Sequence, residues 1–269
     1  MRKIVDLTLP TPKLAVDALA DASGLPKGRI KDAMHKGACW WDQKGKQVRL
    51  RKAKRELKAG TRIQLFYDEQ VLTREPEAPV CLKRLDRYSV WYKPPGLLAQ
   101  GSQWGDHCSL LRLTELSLNQ PCFLVHRLDA DAAGLMVVAH DSKAAGLMSQ
   151  LFSGRQIHKV YRAKVTGQVQ WDNERIDQPL DDKPSVSVVT TIDQDSESDT
   201  SRVEVVIETG RKHQIRRHLA GIGHPIVGDR LYGRADNQGL QLLALELAFD
   251  CPVTGRRQEF RLPAELVTV

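Results

Sequence analysis

Residues 122–139 read CFLVHRLDADAAGLMVVA, which is a polar loop between two apolar runs. The runs Cys122–Val125 and Leu135–Ala139 predict buried strands, because short apolar runs bounded by turn residues are typical of strands in a core. A polar loop held between buried strands can keep a catalytic group both exposed and rigid. Asp129, in the loop His126–Gly134, is therefore a candidate catalytic carboxylate. The spacing leaves one alternative open, an aspartate that only caps the backbone amides of a turn.

A second polar segment, GRKHQIRRH at residues 210–218, follows the alternating strand pattern of Arg202–Glu208 and begins a helix predicted over Lys212–Ala220. Ile215 lies on the apolar face of this helix, which can pack on a sheet. Arg216 lies about a quarter turn from that face, where it can reach into a neighbouring cleft. A buried arginine needs a carboxylate partner. The alternative for this segment is an ordinary basic helix on the surface.

Tyr161 lies on the inward face of an alternating strand, His158–Thr166. A tyrosine in this position is equally typical of a core residue with a satisfied hydroxyl, so its spacing alone decides nothing. The strand Ser89–Lys93 and the amphipathic helix Ser142–Phe152 complete the clearest local patterns. Strands and helices mixed in this way predict a mixed sheet with helices packed on it.

The N-terminal residues form a separate basic unit. Its predicted elements are the helices Leu14–Leu25 and Lys27–His35 and the strands Ala38–Trp41, Gln47–Leu50 and Arg62–Tyr67. Residues 1–74 hold 17 Lys and Arg against 8 Asp and Glu, a net +9, whereas the remaining residues hold 23 against 25, a net −2. This asymmetry predicts a polyanion-binding unit, although a charge run by itself is commonly a solvated face. The cations of the second helix are the candidate contacts: Lys27, Arg29, Lys31 and Lys36.

The segment Thr73–Pro79 holds two prolines, two acids and almost no apolar residue, which is typical of a linker. The predicted organisation is therefore a small basic domain over residues 1–72, a linker over 73–79, and a larger domain over 80–269 that carries the candidate catalytic residues.

Several classes of site have no support in the sequence. No Walker loop or Gly-x-Gly-x-x-Gly segment predicts a nucleotide cofactor, and no His-Glu-x-x-His or cysteine-rich spacing predicts a metal. The five cysteines include no Cys-x-x-Cys pair, so we expect free thiols. The N-terminus lacks the apolar run of a secretory signal, and no stretch approaches the ~20 apolar residues that span a bilayer. We expect a cytoplasmic protein with no cofactor and no metal.

Five motifs follow one another in the second part of the chain. They are Tyr92–Leu97, His126–Asp129 with Gly134–Ala139, Lys159–Ala163, Gly210–Leu219 and Gly223–Gly233. In this order they resemble the motifs of the RluA-type pseudouridine synthases, which act on ribosomal and transfer RNA. The likeness covers about residues 80–269. Residues 14–67 resemble the small RNA-binding module named after the fourth small-subunit ribosomal protein.

The resemblance implies the α+β fold class of pseudouridine synthases, in which helices flank a mixed, largely antiparallel central sheet. It implies an enzyme that isomerises specific uridines in structured RNA, ribosomal RNA in preference to transfer RNA. We expect this enzyme to be a monomer without cofactor or metal. Asp129 becomes the essential carboxylate, Arg216 its partner, and Tyr161 the residue that stacks on the flipped uracil. The resemblance assigns further substrate contacts to Arg127, His126, Ile215, Arg211, His213 and Gln214. Whether Asp129 attacks the sugar or removes a ribose proton stays open.

Two positions depart from the family pattern. Ala132-Ala133 stands where the family has Thr-Ser, whose hydroxyls would be hydrogen-bond partners of the loop, and Lys212 replaces a Thr. The first change is the main support for an alternative function, a non-catalytic RNA-binding or ribosome-assembly protein on the same fold. An RNA-directed hydrolase that uses Asp129 with a water is a second alternative.

Overall fold

The computed structural model describes residues 1–269, and the chain forms two compact units. The first unit contains residues 1–76 together with residues 100–113, and the second contains residues 77–99 and 114–269. Residues 100–113 thus belong to the first unit, whereas the sequence pattern predicted a single domain over residues 80–269.

The first unit is built on a four-stranded antiparallel sheet with the strand order β1-β6-β3-β4. Its elements are β1 (Arg2–Thr8), β2 (Lys13–Leu14), α1 (Ala15–Ser23), α2 (Lys27–His35), β3 (Cys39–Gln43), β4 (Lys46–Arg49), β5 (Glu56–Leu57), β6 (Arg62–Asp68) and α3 (Glu69–Leu72). The short strands β2 and β5 pair with each other. Leu19, Ile30 and Leu65 are buried in one core, which joins both helices to the sheet.

The second unit contains a ten-stranded sheet, and the helix α4 begins in the first unit and ends in the second. The elements are β7 (Val80–Arg84), β8 (Tyr88–Lys93), α4 (Leu110–Leu118), β9 (Phe123–Leu124), β10 (Ala133–Ala139), α5 (Ser142–Ser153), β11 (His158–Thr166), β12 (Glu174–Ile176), β13 (Ser187–Asp195), β14 (Thr200–Ile207), α6 (Gln214–Gly221), β15 (Leu242–Asp250), β16 (Arg257–Arg261) and a 3-10 turn at Ala264–Leu266. The main strand order is β12-β13-β14-β11-β15-β10-β8-β7, with β16 paired to β15 and β9 paired to β10.

All neighbouring strands of this large sheet are antiparallel except β10 and β15. Met148 of α5 packs in a core with Val137 of β10, and Leu219 of α6 packs in another with Val203 of β14. The predicted fold class, α+β with a mixed, largely antiparallel sheet flanked by helices, is confirmed. None of the helices has the length and hydropathy that crossing a membrane requires.

The centre of the sheet contains a close backbone approach at Gly134, the second residue of β10. Gly134 pairs in parallel with Ala244 of β15, and its φ is +121°. A Cβ atom placed on Gly134 would lie 2.3 Å from the carbonyl oxygen of Ala244, so only glycine fits. This contact fixes the end of the loop that precedes β10. Asp129 lies in that loop.

Candidate active site

A cleft of about 550 Å³ opens in the second unit beside the loop 126–132, β11 and the beginning of α6. It is lined by all nine residues that the sequence assigned to catalysis and substrate contact: His126, Arg127, Asp129, Tyr161, Arg211, His213, Gln214, Ile215 and Arg216. These residues come from segments that are up to 90 positions apart, and the sheet brings them together. No three or more His, Cys, Asp and Glu side chains are grouped so that they could hold a metal ion.

Arg216 connects two carboxylates at one end of the cleft. Its Nη1 donates to Oδ2 of Asp129 at 3.0 Å, while Nε and Nη2 donate to the two oxygens of Asp229, each at 2.7 Å. Asp229 is fully buried and also accepts from the backbone amides of Leu231 and Tyr232. Asp229 therefore fixes the guanidinium so that one nitrogen faces Asp129.

The charges of this group are set by its contacts. Burial alone would raise the pKa of Asp229, but the hydrogen bonds from Arg216 and Leu231 outweigh burial and hold that pKa below its usual value. Burial opposes the charge of Arg216, yet hydrogen bonds to Asp229 and Asp129 raise its pKa overall. The buried arginine and its buried partner are thus both charged, as the sequence analysis required of a buried arginine.

His213 stands immediately before α6 in a left-handed conformation, with φ at +53°. Its Nε2 lies 3.6 Å from Oδ1 of Asp129, and its Nδ1 shares a hydrogen bond of 2.9 Å with the Tyr232 hydroxyl. Burial is the main cause that lowers the pKa of His213, and the Asp129 carboxylate only partly offsets it. A neutral imidazole therefore lies beside the candidate carboxylate at pH 7.

Tyr161 faces the same cleft from β11. The pairing of β11 with β15 shifts register between Val160 and Tyr161, and such a bulge re-aims side chains next to a site. Burial, and then the nearby Asp129 carboxylate, raises the pKa of the Tyr161 hydroxyl. The ring is therefore neutral and presents an aromatic surface to the cleft.

His126 forms part of the cleft wall and is occupied by contacts within the protein. Its Nε2 accepts a hydrogen bond of 2.9 Å from the amide of Val137, and its ring stacks on Phe152 with centroids 4.0 Å apart. Burial, and then the charge of Lys159, lowers the pKa of His126 to about 3. These contacts let His126 support the loop, and its predicted contact with substrate stays a prediction. Arg127, its neighbour, is exposed and forms no hydrogen bond or ion pair.

Gln214 is similarly occupied. Its carbonyl accepts from the Thr209 hydroxyl at 2.6 Å and from the Arg211 amide at 3.1 Å, and its amide donates to the Val186 carbonyl at 2.8 Å. The side chain thus closes the turn before α6, and its predicted contact with substrate stays a prediction. Ile215 has contacts on two sides: it packs in the core beneath α6, and it also lines the cleft.

Two lysines at the site, Lys93 and Lys159, were not predicted from the sequence. Lys93 is fully buried, and its ammonium donates to the carbonyls of Pro94, Leu97 and Ala130. Ala130 is the residue that directly follows Asp129. Burial lowers the pKa of Lys93 to about 7. Lys159 lines the cleft, is only 7% exposed, and has no hydrogen bond or ion pair. Both could have been found in the sequence, because each is a lysine at an inward position of a predicted strand.

The loop is ordered although Ala132-Ala133 lacks hydroxyls. Both alanines are buried, Ala132 in the core beneath the cleft and Ala133 in β10. The Ala130 carbonyl accepts from the Lys93 ammonium at 3.1 Å and from the Gly96 amide at 2.8 Å. Backbone contacts and a buried lysine therefore hold the segment that in the family would also have Thr-Ser hydroxyls.

The four cations predicted to contact RNA lie on or just after α2 in the first unit, and none lines the cleft. Three of them are engaged in ion pairs: Lys27 with Asp17 at 2.9 Å, Arg29 with Glu69 at 3.3 Å, and Lys36 with Asp32 at 3.0 Å. Lys31 is exposed and unpaired.

Known proteins resemble the chain over most of its length. A family model described as RNA pseudouridylate synthase matches residues 87–221. The chain is 33% identical over 183 residues to the dual-specificity RNA pseudouridine synthase RluA of Vibrio parahaemolyticus, covering 60% of this chain and 73% of that protein. It is 30% identical over 277 residues to an uncharacterized RNA pseudouridine synthase of Mycobacterium bovis, covering 93% and 84%. The solved structure of human RNA pseudouridylate synthase domain containing 1 has a TM-score of 0.61 at 23% identity, covering 71% of this chain and 86% of that one, a likeness of fold.

Proposed function

The chain belongs to the RNA pseudouridylate synthase family and is an RNA pseudouridine synthase, and on that premise we propose that Asp129 is its catalytic carboxylate. In this proposal the enzyme isomerises specific uridines of structured ribosomal RNA. The enzyme is a cytoplasmic monomer and needs no cofactor or metal. Membership in the family also favours an enzyme over the non-catalytic alternative that Ala132-Ala133 suggested.

The observation that carries this proposal is the charge pattern of the cleft. Asp129 is the only carboxylate among the lining residues, and five lining residues are cations: Arg127, Lys159, Arg211, Lys212 and Arg216. Its Oδ2 accepts from Arg216, whereas its Oδ1 forms no hydrogen bond. One oxygen is therefore held, and the other is available to a substrate. This arrangement suits a catalytic group better than a carboxylate that caps a turn.

The isomerisation breaks the bond between base N1 and ribose C1′ and forms a bond between base C5 and C1′. The uracil gains a proton at N1 and loses one at C5, so no redox partner is needed. In one route Oδ1 of Asp129 attacks C1′, and in the other it removes the proton from C2′. Both routes use an ionised carboxylate, and Arg216 donates a hydrogen bond to the other oxygen of that carboxylate.

The remaining cleft residues receive the substrate. A uridine must leave its stack before C1′ becomes accessible, and Tyr161 offers its neutral ring as a stacking surface for the flipped uracil. Ile215 contributes an apolar wall. Arg127, which is exposed and unpaired, is placed to contact the RNA backbone or to fill the gap that the base leaves. Arg211 and His213 border the same space.

The choice of ribosomal RNA rests on the first unit. Its sequence resembles an RNA-binding module of a ribosomal protein, and residues 1–74 carry a net charge of +9. Such a unit adds phosphate contacts that a pocket for a single base cannot supply.

The test is a map of pseudouridines in total RNA from cells that carry the intact gene, no gene, Asp129→Asn or Asp131→Asn. Asp131 is the matched control, because it lies two residues away, pairs with exposed Arg230 at 3.1 Å and does not line the cleft. We expect one or more ribosomal positions to be modified with the intact gene and with Asp131→Asn, and unmodified in the other two. Modification that persists in Asp129→Asn would contradict the catalytic assignment, and a target confined to transfer RNA would contradict the choice of RNA.

A further inference from the structure

The cations of the first unit fall into two groups according to their partners. Eight lysines and arginines between residues 1 and 74 form ion pairs: Arg2, Lys13, Lys27, Arg29, Lys36, Arg49, Arg51 and Arg62. Their acidic partners are all within the unit. The net positive charge of this unit therefore comes from the cations that have no carboxylate partner.

Six of the unpaired cations are concentrated in residues 44–58, which we term the basic loop region. They are Lys44, Lys46, Lys52, Lys54, Arg55 and Lys58, and all six are exposed. The only acid in this range is Glu56. The region begins at the hairpin turn between β3 and β4 and continues through the loop that leads to β5.

The backbone of this region is fixed by hydrogen bonds. The amide of Ala15 donates to the carbonyl of Arg55 at 2.9 Å, and the amide of Val16 donates to the carbonyl of Ala53 at 3.2 Å. Leu50 and Leu57 anchor the two ends of the loop in the core, each with 1% exposure. The charges are thus displayed on an ordered scaffold. The guanidinium of Arg55 also lies over the ring of Trp41, 4.4 Å from its centroid.

The helix α2 offers less free charge. A phosphate that approaches Lys27, Arg29 or Lys36 competes with a carboxylate already 2.9 to 3.3 Å from that cation. At the basic loop region the phosphate replaces only mobile counterions, whose release favours binding.

We propose that the basic loop region, and not α2, is the surface of this unit that binds the phosphate backbone of RNA. The inference rests on the proposed function for its choice of polyanion, since an exposed cationic loop would also attract an anionic membrane surface. It assigns α2 a structural role, with its cations serving to hold Asp17, Asp32 and Glu69.

The experiment compares two charge-matched variants of the full chain. The loop variant carries Lys52→Gln, Lys54→Gln and Lys58→Gln, and the helix variant carries Lys27→Gln, Arg29→Gln and Lys31→Gln. Each removes three positive charges from exposed positions, and equal melting temperatures establish that both remain folded. Binding to a fluorescent RNA hairpin is titrated at salt concentrations from 50 to 200 mM, with vesicles containing phosphatidylglycerol as a second probe.

We expect the loop variant to bind the hairpin at least about tenfold more weakly than the unaltered chain at 0.1 M salt. Its plot of log affinity against log salt should be shallower by roughly 2 to 3, since each lost phosphate contact removes about 0.7 to 0.9 from the slope. The helix variant should stay within about threefold. An equal or greater loss in the helix variant would overturn the proposal, as would vesicle binding that the loop variant loses while its RNA affinity is unchanged.

Failure of this proposal can be separated from failure of the proposed function. Hairpin affinity is measured without turnover, so a chain that converts no uridine still gives a readable salt slope. Conversely, uridine conversion that depends on Asp129 does not depend on which surface of the first unit binds phosphate.

Discussion

Arg216 is the residue that connects two carboxylates at one end of the cleft, Asp129 and Asp229. It is 2% exposed, and its guanidinium uses three nitrogens on two carboxylates. Because two of these bonds go to Asp229, which is fully buried, the guanidinium cannot turn away from Asp129 without breaking a bidentate pair. We therefore regard Asp229 as a positioning residue that acts on Asp129 through Arg216.

Asp229→Asn should reduce both activity and stability. Loss of the buried charge leaves Arg216 with a single carboxylate, and breaking a buried pair of this kind typically costs about 3 kcal/mol. We expect turnover to fall roughly a hundredfold, since a small misplacement of a catalytic group has an effect of that size. The measurements are single-turnover conversion of uridine and urea unfolding. Asp181→Asn is the control, because Asp181 is exposed and pairs with Arg217, the neighbour of Arg216 on α6, and it should change little.

The same variant gives a test by pH. The pKa of Asp229 is lowered on folding from 3.8, so its charge stabilises the native state above about pH 4 and this stabilisation is lost as pH falls through the folded value. The unaltered chain should therefore lose more unfolding free energy between pH 5 and 3 than Asp229→Asn does. Parallel losses in both proteins would show that folding does not lower the pKa of Asp229.

At this scale the sequence predicted that Arg216 needs a carboxylate, but it left open which one. The answer depends on Gly228 and its neighbours. Gly228 has φ at +75°, and a Cβ there would lie 1.8 Å from the Gly239 carbonyl oxygen. This close approach determines where Asp229 points, and no local pattern of residues reports a contact between two loops. The hydrogen bond that His126 accepts from the Val137 amide could not be predicted for a similar reason, because it joins residues that meet only in the folded chain.

Among the elements, β10 and β15 determine where the loop that contains Asp129 ends. Their parallel pairing is confined to Ala133 with Leu243 and Gly134 with Ala244. The two backbones are so close at Gly134 that no side chain can be accommodated. Asp129 lies only five residues before this contact, so the loop has little freedom to relax.

Gly134→Ala should destabilise the protein severely. The new Cβ would lie within 3 Å of three backbone atoms of Ala244, and the residue would keep a φ that alanine rarely adopts. We expect a loss of at least about 3 kcal/mol in urea unfolding, or no soluble protein. Gly146→Ala is the control, because Gly146 lies in α5 with open space around its Cα, and it should be neutral or stabilising by up to about 1 kcal/mol. Similar stabilities for the two variants would contradict the close approach.

The elements that the sequence predicted well are those with a local period. The span His158–Thr166 was predicted with its observed bounds, because its residues alternate between two environments. In contrast, β15 was not predicted from LLALELAFD, since a central strand buried on both faces is apolar throughout and has no alternation. The strand β1 was missed for the opposite reason: it is an edge strand with exposed residues such as Ile4, and its partner β6 is about sixty residues away.

At the scale of the whole molecule, residues 100–113 make the first unit discontinuous in sequence. Trp104 packs edge-on against Phe66, with centroids 5.7 Å apart, and the Arg2 guanidinium lies 4.0 Å from the centroid of its ring. Asp106 forms an ion pair with Arg49 at 2.9 Å and accepts a hydrogen bond from Arg51. Sequence analysis placed these residues in the larger domain because adjacency along the chain was its only guide.

A truncated chain that begins at residue 77 should therefore not behave as an intact catalytic domain. Residues 100–113 would lose the contacts of the Trp104 ring with Phe66 and Arg2 and both arginine partners of Asp106. This loss leaves a large aromatic exposed and a carboxylate unpaired. Because unfolded segments are cut far faster than folded ones, we expect chymotrypsin to cleave after Trp104 at least about tenfold faster than in the full chain. Mass spectrometry of the early fragments identifies the site, and cleavage at Phe123, which is exposed in the second unit, serves as the internal reference. Equal rates at Trp104 in both chains would mean that residues 100–113 are ordered by the second unit, and a deletion of residues 1–76 could then serve as a clean test of RNA binding.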